Sequence, residues 1–389
     1  MSECIERLSV DDYDEAIEFL NMVFGKEENK DINLTILQPK MYRPTAECMN
    51  NNFAIRKNGY IRALVTMYPM TAQSGSRILK VAGIGGVSTH PEDCNTGMMQ
   101  HLMEACIREM ISQGFHMSCL GGLRQRYGYF GYEKGGTAFR YNITKYNIKH
   151  YLREGIKPGI HFEKIEKSHA SRLLLAKKLY DTQPFYCNRP SEEFYLYLKS
   201  WNKDPWAALD NDGHMLGYLV ANEAGNMVDE IQASNTDEFF RMACQWVVQH
   251  EENGTSFFIP PWADEYARKA GGLCEDVSVR ESYNWRIFDW VEVIDILLVV
   301  KSGYTRLVDG ETDIHIKDYG TVRIKVKDNI TSCEKTPGKA NLVCDNLTSV
   351  KLIFGPTSPV FVAKLPEKES IFLNSWFPLP LCWLPQDGI

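Results

Sequence analysis

One order of periodicities occurs twice along this chain, and it limits the folds available more than any other feature. The first pass reads strand, helix, hairpin, strand, helix, strand. Ile5–Leu8 is strand-like. Asp11 or Asp12 then caps a helix whose apolar positions Ile17, Leu20, Met22, Val23 and Phe24 crowd one side, with Gly25 as its expected end. Phe53–Arg56 and Tyr60–Tyr68 flank Lys57-Asn58-Gly59, and Asn-Gly favours the tight turn in which both central residues need positive φ. Ile78–Thr89 is a strand carrying Gly83, Gly85 and Gly86. Met99, Leu102, Met103, Cys106, Ile107, Met110 and Ile111 follow at helical spacing, Gly114 stops that helix, and Phe115–Leu120 is a strand.

The second pass starts near residue 161. His161–Ile165 is strand-like, and Ser168 is placed to cap a helix through Leu173, Leu174, Leu175 and Leu179. Trp206–Leu209 and Leu216–Val220 flank Asn211-Asp212-Gly213, a second hairpin signal. Met227–Ile231 reads as a strand and Thr236–His250 as a helix. The glycine-bearing strand and its polar loop are missing here, so the pattern is that of a duplicated module whose second copy has lost the loop.

From about Arg286 the chain reads as β-rich, with Ile314–Ile316, Thr321–Val326 and Val360–Phe361 as strand candidates; the longest apolar stretch, near Ile294–Val300, is strand-sized. The tail from Trp376 to Ile389 contains three prolines, which forbid a helix, yet Trp376, Phe377, Trp383 and Leu384 are too apolar for a loose end. The expected organisation is α+β: an N-terminal unit over 1–150, a central one over 151–285 and a C-terminal one over 286–389. A length of 389 residues suits two or three domains.

Lys+Arg number 43 against Asp+Glu 50, and the resulting formal charge of −7, with no basic run, argues against nucleic acid as a partner. No apolar run approaches the roughly 20 residues of a membrane span, and the start has no basic and apolar leader pattern, so the expected location is cytoplasmic. The 11 cysteines form no C-x-x-C pair and are expected to be reduced and buried. Among the 9 histidines no metal set is legible, and His90 and His101 do not share a helix face. No phosphate-loop lysine motif or dinucleotide fingerprint occurs.

The segment that can carry chemistry is Val81 to Met99: strand, polar loop, helix start. Such a junction presents unpaired N–H groups and the positive helix end, which suits a pyrophosphate, and Gly97 lets backbone approach an anion. A plain connection has the same sequence pattern. Downstream, Arg126-Tyr127-Gly128-Tyr129-Phe130-Gly131-Tyr132 concentrates aromatics, each of which can equally be core.

Gly85-Gly86-Val87-Ser88-Thr89-His90-Pro91-Glu92, the Met-rich helix after it and the Tyr-Gly-Tyr-Phe-Gly-Tyr run together resemble the GNAT acyltransferase superfamily, and within it the enhanced intracellular survival (Eis) branch. The resemblance spans the chain and implies two tandem GNAT-like α/β modules followed by a sterol-carrier-protein-like α+β domain. It implies an N-acetyltransferase with acetyl-CoA as co-substrate, no metal, a small-molecule or peptide amine as acceptor, and a homo-oligomer, trimer or hexamer. Carried over by residue, Val87, Ser88 and Thr89 bind the pantetheine arm. Cys94, Asn95, Thr96, Gly97, Met98 and Met99 take the pyrophosphate. Tyr127 is the acid for the leaving thiolate, and the Ile389 carboxylate is the base. Asp387, two positions before the last residue, is an alternative base. Arg124 and Arg126 are within reach of phosphates or of a neighbouring chain.

The loop departs from the family pattern Q/R-x-x-G-x-G/A. Cys94 stands at the Gln/Arg position and Met99 where Gly or Ala is usual, so cationic side chains are missing and only backbone N–H groups and the helix dipole remain. That departure motivates the competing expectation, a non-catalytic ligand-binding or assembly protein on the same scaffold.

Overall fold

A computed structural model describes residues 4–152, 159–250 and 254–389. Its strands form three sheets. The first has the order Ile5–Arg7, Asn52–Lys57, Tyr60–Ser74, Arg77–Thr89, Met117–Leu120, Tyr283–Ile287, Glu133–Gly135, and Tyr186–Cys187 adds to the far end of Tyr60–Ser74. The second has the order His161–Lys164, Lys203–Leu209, Met215–Asn222, Met227–Ala233, Thr255–Ile259, Ala138–Ile143, Asp276–Arg280. Laid side by side, the two orders match position by position. In each, the fourth and fifth strands are a parallel pair among antiparallel neighbours.

The two sheets also exchange strands at their ends. Ala138–Ile143 leaves the first unit and pairs in the second sheet, while Tyr283–Ile287 returns to sit between Met117–Leu120 and Glu133–Gly135 of the first. Each module therefore depends on chain from the other side of the expected boundaries near 150 and 285.

The turn chemistry is legible in the backbone. Asn58 and Gly59 have φ of 56° and 85°, the mirror-image turn that Asn-Gly favours. The first helix, Tyr13–Glu28, runs through Gly25 rather than ending there. Asn29 takes the left-handed position instead, with its N–H bonded to the Gly25 carbonyl. Helix Ala170–Tyr180 starts after His169, one residue beyond the expected serine cap. Helices Met98–Ser112 and Thr236–His250 bury their apolar faces on the outer sides of the two sheets.

The C-terminal unit has the four-stranded sheet Ile330–Lys335, Gly320–Lys327, Gly310–Ile316, Leu342–Cys344 with three helices, Trp290–Tyr304, Asn346–Phe354 and Glu367–Trp376. Ile294–Val300, a strand-sized apolar stretch in the sequence, lies inside the first of these helices, which Asp289 caps through the N–H of Glu292. A short buried apolar run does not distinguish strand from helix. Val360–Phe361 lies in a 3-10 turn after Ser358-Pro359, where proline blocks a sheet ladder.

The tail is packed in, as its composition suggests. Leu379, Leu381, Cys382, Trp383 and Leu384 are buried in one core with the inner faces of both large sheets. Trp383 meets Trp285 edge to face, with centroids 6.0 Å apart. Lys301 Nζ donates to the Trp376 and Pro378 carbonyls at 2.8 and 2.9 Å, and Thr137 N donates to Leu381 O at 2.8 Å. No helix among the described residues is long and apolar enough to cross a membrane, and all 11 cysteines are free thiols.

Candidate active site

Strand alternation builds the site. Along Arg77–Thr89, Ala82 and Ile84 face the Met98–Ser112 helix, while Leu79 and Val81 face the inner core. Gly83 and Gly85 continue that inner face without side chains. The space is filled by the last residue of the tail. A Cβ on Gly83 would overlap Ile389 Cγ1, and one on Gly85 would sit 2.5 Å from Ile389 Cγ2. The end of the chain thus lies across the middle of the first sheet.

It lies where two strands part. The parallel pairing with Met117–Leu120 stops at Ile84–Leu120, while the other strand continues to Thr89. A bulge bends it: Leu64 faces Ser88 and Thr66 faces Gly85, so Gly86 and Val87 together oppose Val65. Gly86 has φ 58°, and a Cβ there would meet Thr66 Oγ1 at 2.7 Å, so only glycine fits. Beyond the bulge, Ser88 and Thr89 pair with Leu64 and Ala63 on one side only. Val87 and Thr89 are part-exposed and Ser88 is buried. The open edge offers backbone donors and acceptors to an extended ligand.

The loop follows directly. Cys94, Asn95 and Thr96 are exposed. Gly97, at φ 91°, caps the helix with no side-chain capping bond, and no atom approaches within 4 Å of where its Cβ would be. Met98 is buried, Met99 part-buried, and the first-turn N–H groups have no intrahelical acceptor. In the second module the matching helix is closed, because Asn235 Oδ1 accepts from Glu238 N at 2.9 Å. Below the loop, Asp93 is buried and accepts from Lys57 Nζ at 3.0 Å and from Arg62 Nε. Those bonds, Lys57's first, hold its carboxyl below the usual range. Arg62 also pairs with Glu92 at 2.9 Å, so the nearby cations are held by acids rather than turned toward the loop.

Tyr127 sits in the short helix Arg124–Gly128 and is buried. Its ring covers Gly122, at φ 102°, where a Cβ would meet Tyr127 Cε2 at 2.9 Å. The preceding Gly121 is the neighbour of the chain end: its Cβ position lies 3.9 Å from Ile389 O. The structure thus brings Tyr127 and Ile389 to adjacent glycines, Gly121 and Gly122, just past Leu120. Burial raises the Tyr127 pKa, with Arg126 opposing, so the phenol keeps its proton at neutral pH. Arg124 is paired with Glu133, and His90 accepts from the N–H of Glu92 at 3.3 Å within its turn.

Of the two acids on the tail, Asp387 is fully engaged. One oxygen accepts from Arg189 Nε at 2.7 Å and the other from Tyr180 O–H at 3.3 Å, in a site with 1% exposure. Arg189 itself, 0% exposed, also donates to both oxygens of Glu230 at 3.1 and 2.8 Å. Burial opposes its charge, but the Asp387 and Glu230 carboxylates raise its pKa well above the usual value. Lys40, also 0% exposed, donates from Nζ to the carbonyls of Gln386 and Gly388, each at 2.6 Å. None of Lys40, Arg189, Glu230, Gly83 or Gly85 was a sequence candidate. The last two carried a signal, since two glycines continue an otherwise apolar strand face.

Residues 5–135 match the family model of the acetyltransferase (GNAT) domain. That match makes the N-terminal module similar to the GNAT domain, whose family uses acetyl-CoA or another acyl-CoA as co-substrate. No curated protein matches the chain. Among solved structures, a GCN5-related N-acetyltransferase from Kribbella flavida superposes with a TM-score of 0.67 at 15% identity, covering 99% of this chain and 100% of the other. Eis1 from Mycobacterium abscessus gives 0.66 at 13%, covering 99% and 100%. A probable N-acyltransferase from Enterococcus faecalis V583 gives 0.68 at 14%, covering 99% and 98%. At these identities the similarity is one of fold, and it extends over all three units of the chain.

Proposed function

We propose that the chain transfers an acetyl group from acetyl-CoA to a primary amine by direct attack in a ternary complex. The observation that carries this reading is the approach of Tyr127 and Ile389 to the adjacent glycines Gly122 and Gly121, at the mouth of the gap between two parting strands. The open edge at Val87, Ser88 and Thr89 takes the pantetheine arm. Cys94 to Met99, with the uncapped helix start, take the pyrophosphate.

The roles follow from chemistry. An alkylammonium has a pKa near 10.4 and is not nucleophilic until it loses a proton. The Ile389 carboxylate accepts that proton through an ordered water; positioned acid–base groups give about 10²–10⁴-fold. The amine attacks the thioester carbonyl, the C–N bond forms, and N–H donors of the open strand edge steady the oxyanion. The C–S bond then breaks, the thiolate takes the Tyr127 proton, and the second proton of the former amine nitrogen passes through water to the Tyr127 phenolate, which leaves a neutral amide and restores the phenol. Asp387 is not used as the base in this reading, because both of its oxygens are already engaged. The four-stranded C-terminal unit we read as sterol-carrier-like; it covers the back of the first sheet and delivers the tail.

The test is calorimetric titration with acetyl-CoA, followed by an amine screen in which free thiol is measured. Micromolar binding and amine-dependent thiol release are expected. No binding at millimolar acetyl-CoA overturns the enzyme reading in favour of a non-catalytic binder, whose motivation is the uncharged Cys94-Asn95-Thr96 loop.

A further inference from the structure

A free chain end ordinarily frays, and ordering each residue's backbone costs about 1–2 kcal/mol. Here the last four residues are held from two sides. Lys40, from the first module, grips the carbonyls of Gln386 and Gly388. Arg189, from the central module, grips the side chain of Asp387 and is itself fixed by Glu230. The Arg189 guanidinium also lies 3.9 Å over the Tyr180 ring. Wholly buried ions are an expensive way to anchor an apolar tail, and well-packed hydrophobic residues serve stability as well or better. What ions supply is registration: Lys40 fixes the residue before Ile389, and Arg189 fixes the one before that.

We propose that Lys40 and Arg189 are positioning residues for acyl transfer, seating the Ile389 side chain against Gly83 and Gly85 and its carboxylate beside Gly121. The central module, whose helix start is closed by Asn235, serves the reaction at the other module's site through Arg189. The inference rests on Ile389 being the base.

The experiment is a double-mutant cycle in the full chain. Lys40→Met removes the two hydrogen bonds that Lys40 donates to the tail, at nearly constant volume. One glycine appended after Ile389 moves the carboxylate itself. Each change alone should lower kcat about 10–100-fold while acetyl-CoA affinity, read by calorimetry, stays within about 2-fold. The combined protein should be no slower than the extended chain, because groups acting as one unit are not additive. Lys40→Gln, which keeps N–H donors, should recover part of the loss in Lys40→Met, and it stands in should the methionine variant fail to bind acetyl-CoA. Multiplied losses in the combined protein would overturn the inference and leave the base intact. An unchanged kcat in the extended chain would instead overturn the base reading, and the inference with it.

Discussion

Ile389 lies against Gly85, close enough that a Cβ on the glycine would come within 2.5 Å of Ile389 Cγ2. The last residue of the chain and the middle of its fourth strand therefore share one volume. Gly85→Ala is expected to displace the chain end without straining the backbone, since Gly85 does not have positive φ. Turnover should fall at least 10-fold, with acetyl-CoA affinity unchanged. Steady-state kinetics beside calorimetry check it, and wild-type turnover would refute the shared volume.

Tyr127 is buried over Gly122 and keeps its proton at neutral pH. Tyr127→Phe leaves the packing surface and removes the proton. Thiol release should slow about 10²-fold or more, the usual value of a positioned acid. Thermal unfolding should shift little. A variant that is equally active would assign Tyr127 to the core alone.

Much of this was readable from residues. The two passes of strand, helix and hairpin appear in the two matching sheets because Asn58-Gly59 and Asp212-Gly213 specify tight turns and because the helix faces repeat at 3.6. The polar loop and Gly97 were likewise legible, since an uncapped helix start has a local signature. The strand exchange was not, because Ala138–Ile143 and Tyr283–Ile287 look like ordinary strands and only long-range pairing decides their sheet. Ile294–Val300 is strand-sized in the sequence yet helical, because burial of most of its residues weakens the amphipathic period. Lys40 and Arg189 carry no local sign of burial; their environment is assembled from residues up to 348 positions away.

Arg189 is the shared ion-pair partner of Asp387 and Glu230 in a wholly buried site. Arg189→Met leaves two buried carboxylates without their cation, and breaking such a pair typically destabilises by about 3–5 kcal/mol. Urea unfolding should give a loss of that order. A loss below about 1 kcal/mol would mean that water reaches the site and the buried network is not formed.

Changing the loop tests the cofactor half of the site independently. Cys94 is exposed just ahead of a helix start that lacks a side-chain cap. Cys94→Arg places a cation where the anion is expected, a contribution of about 0.2–1 kcal/mol for an exposed charge pair. Acetyl-CoA should bind about 1.5–5-fold tighter at low salt, and the gain should fade as ionic strength rises. Dephospho-CoA and CoA compared in the same titration show whether the arginine meets the pyrophosphate or the 3′-phosphate.

Lys40 makes stability depend on pH in a direction that can be worked out. Burial lowers its pKa from 10.5 to about 7, against the opposing pull of Asp387; Cys187, Arg189 and Cys119 also act on it, and the rings of Tyr197 and Tyr68 adjoin it. Below pH 7 the lysine is charged in folded and unfolded chain alike, and the whole burial penalty is present. Between pH 7 and about 10.4 the unfolded chain holds the proton and the folded one does not, so this group makes stability rise with pH by up to about 1.4 kcal/mol per unit. The neighbouring thiols and phenols, whose pKa values burial raises, act in the opposite sense above pH 9. The clean readout is therefore the difference between wild type and Lys40→Met in urea unfolding at several pH values. That difference should change steadily between pH 7 and 9, with the wild type gaining relative to the variant as pH rises. A difference independent of pH would mean that Lys40 titrates as an ordinary surface lysine, and that the tail is not closed over it in solution.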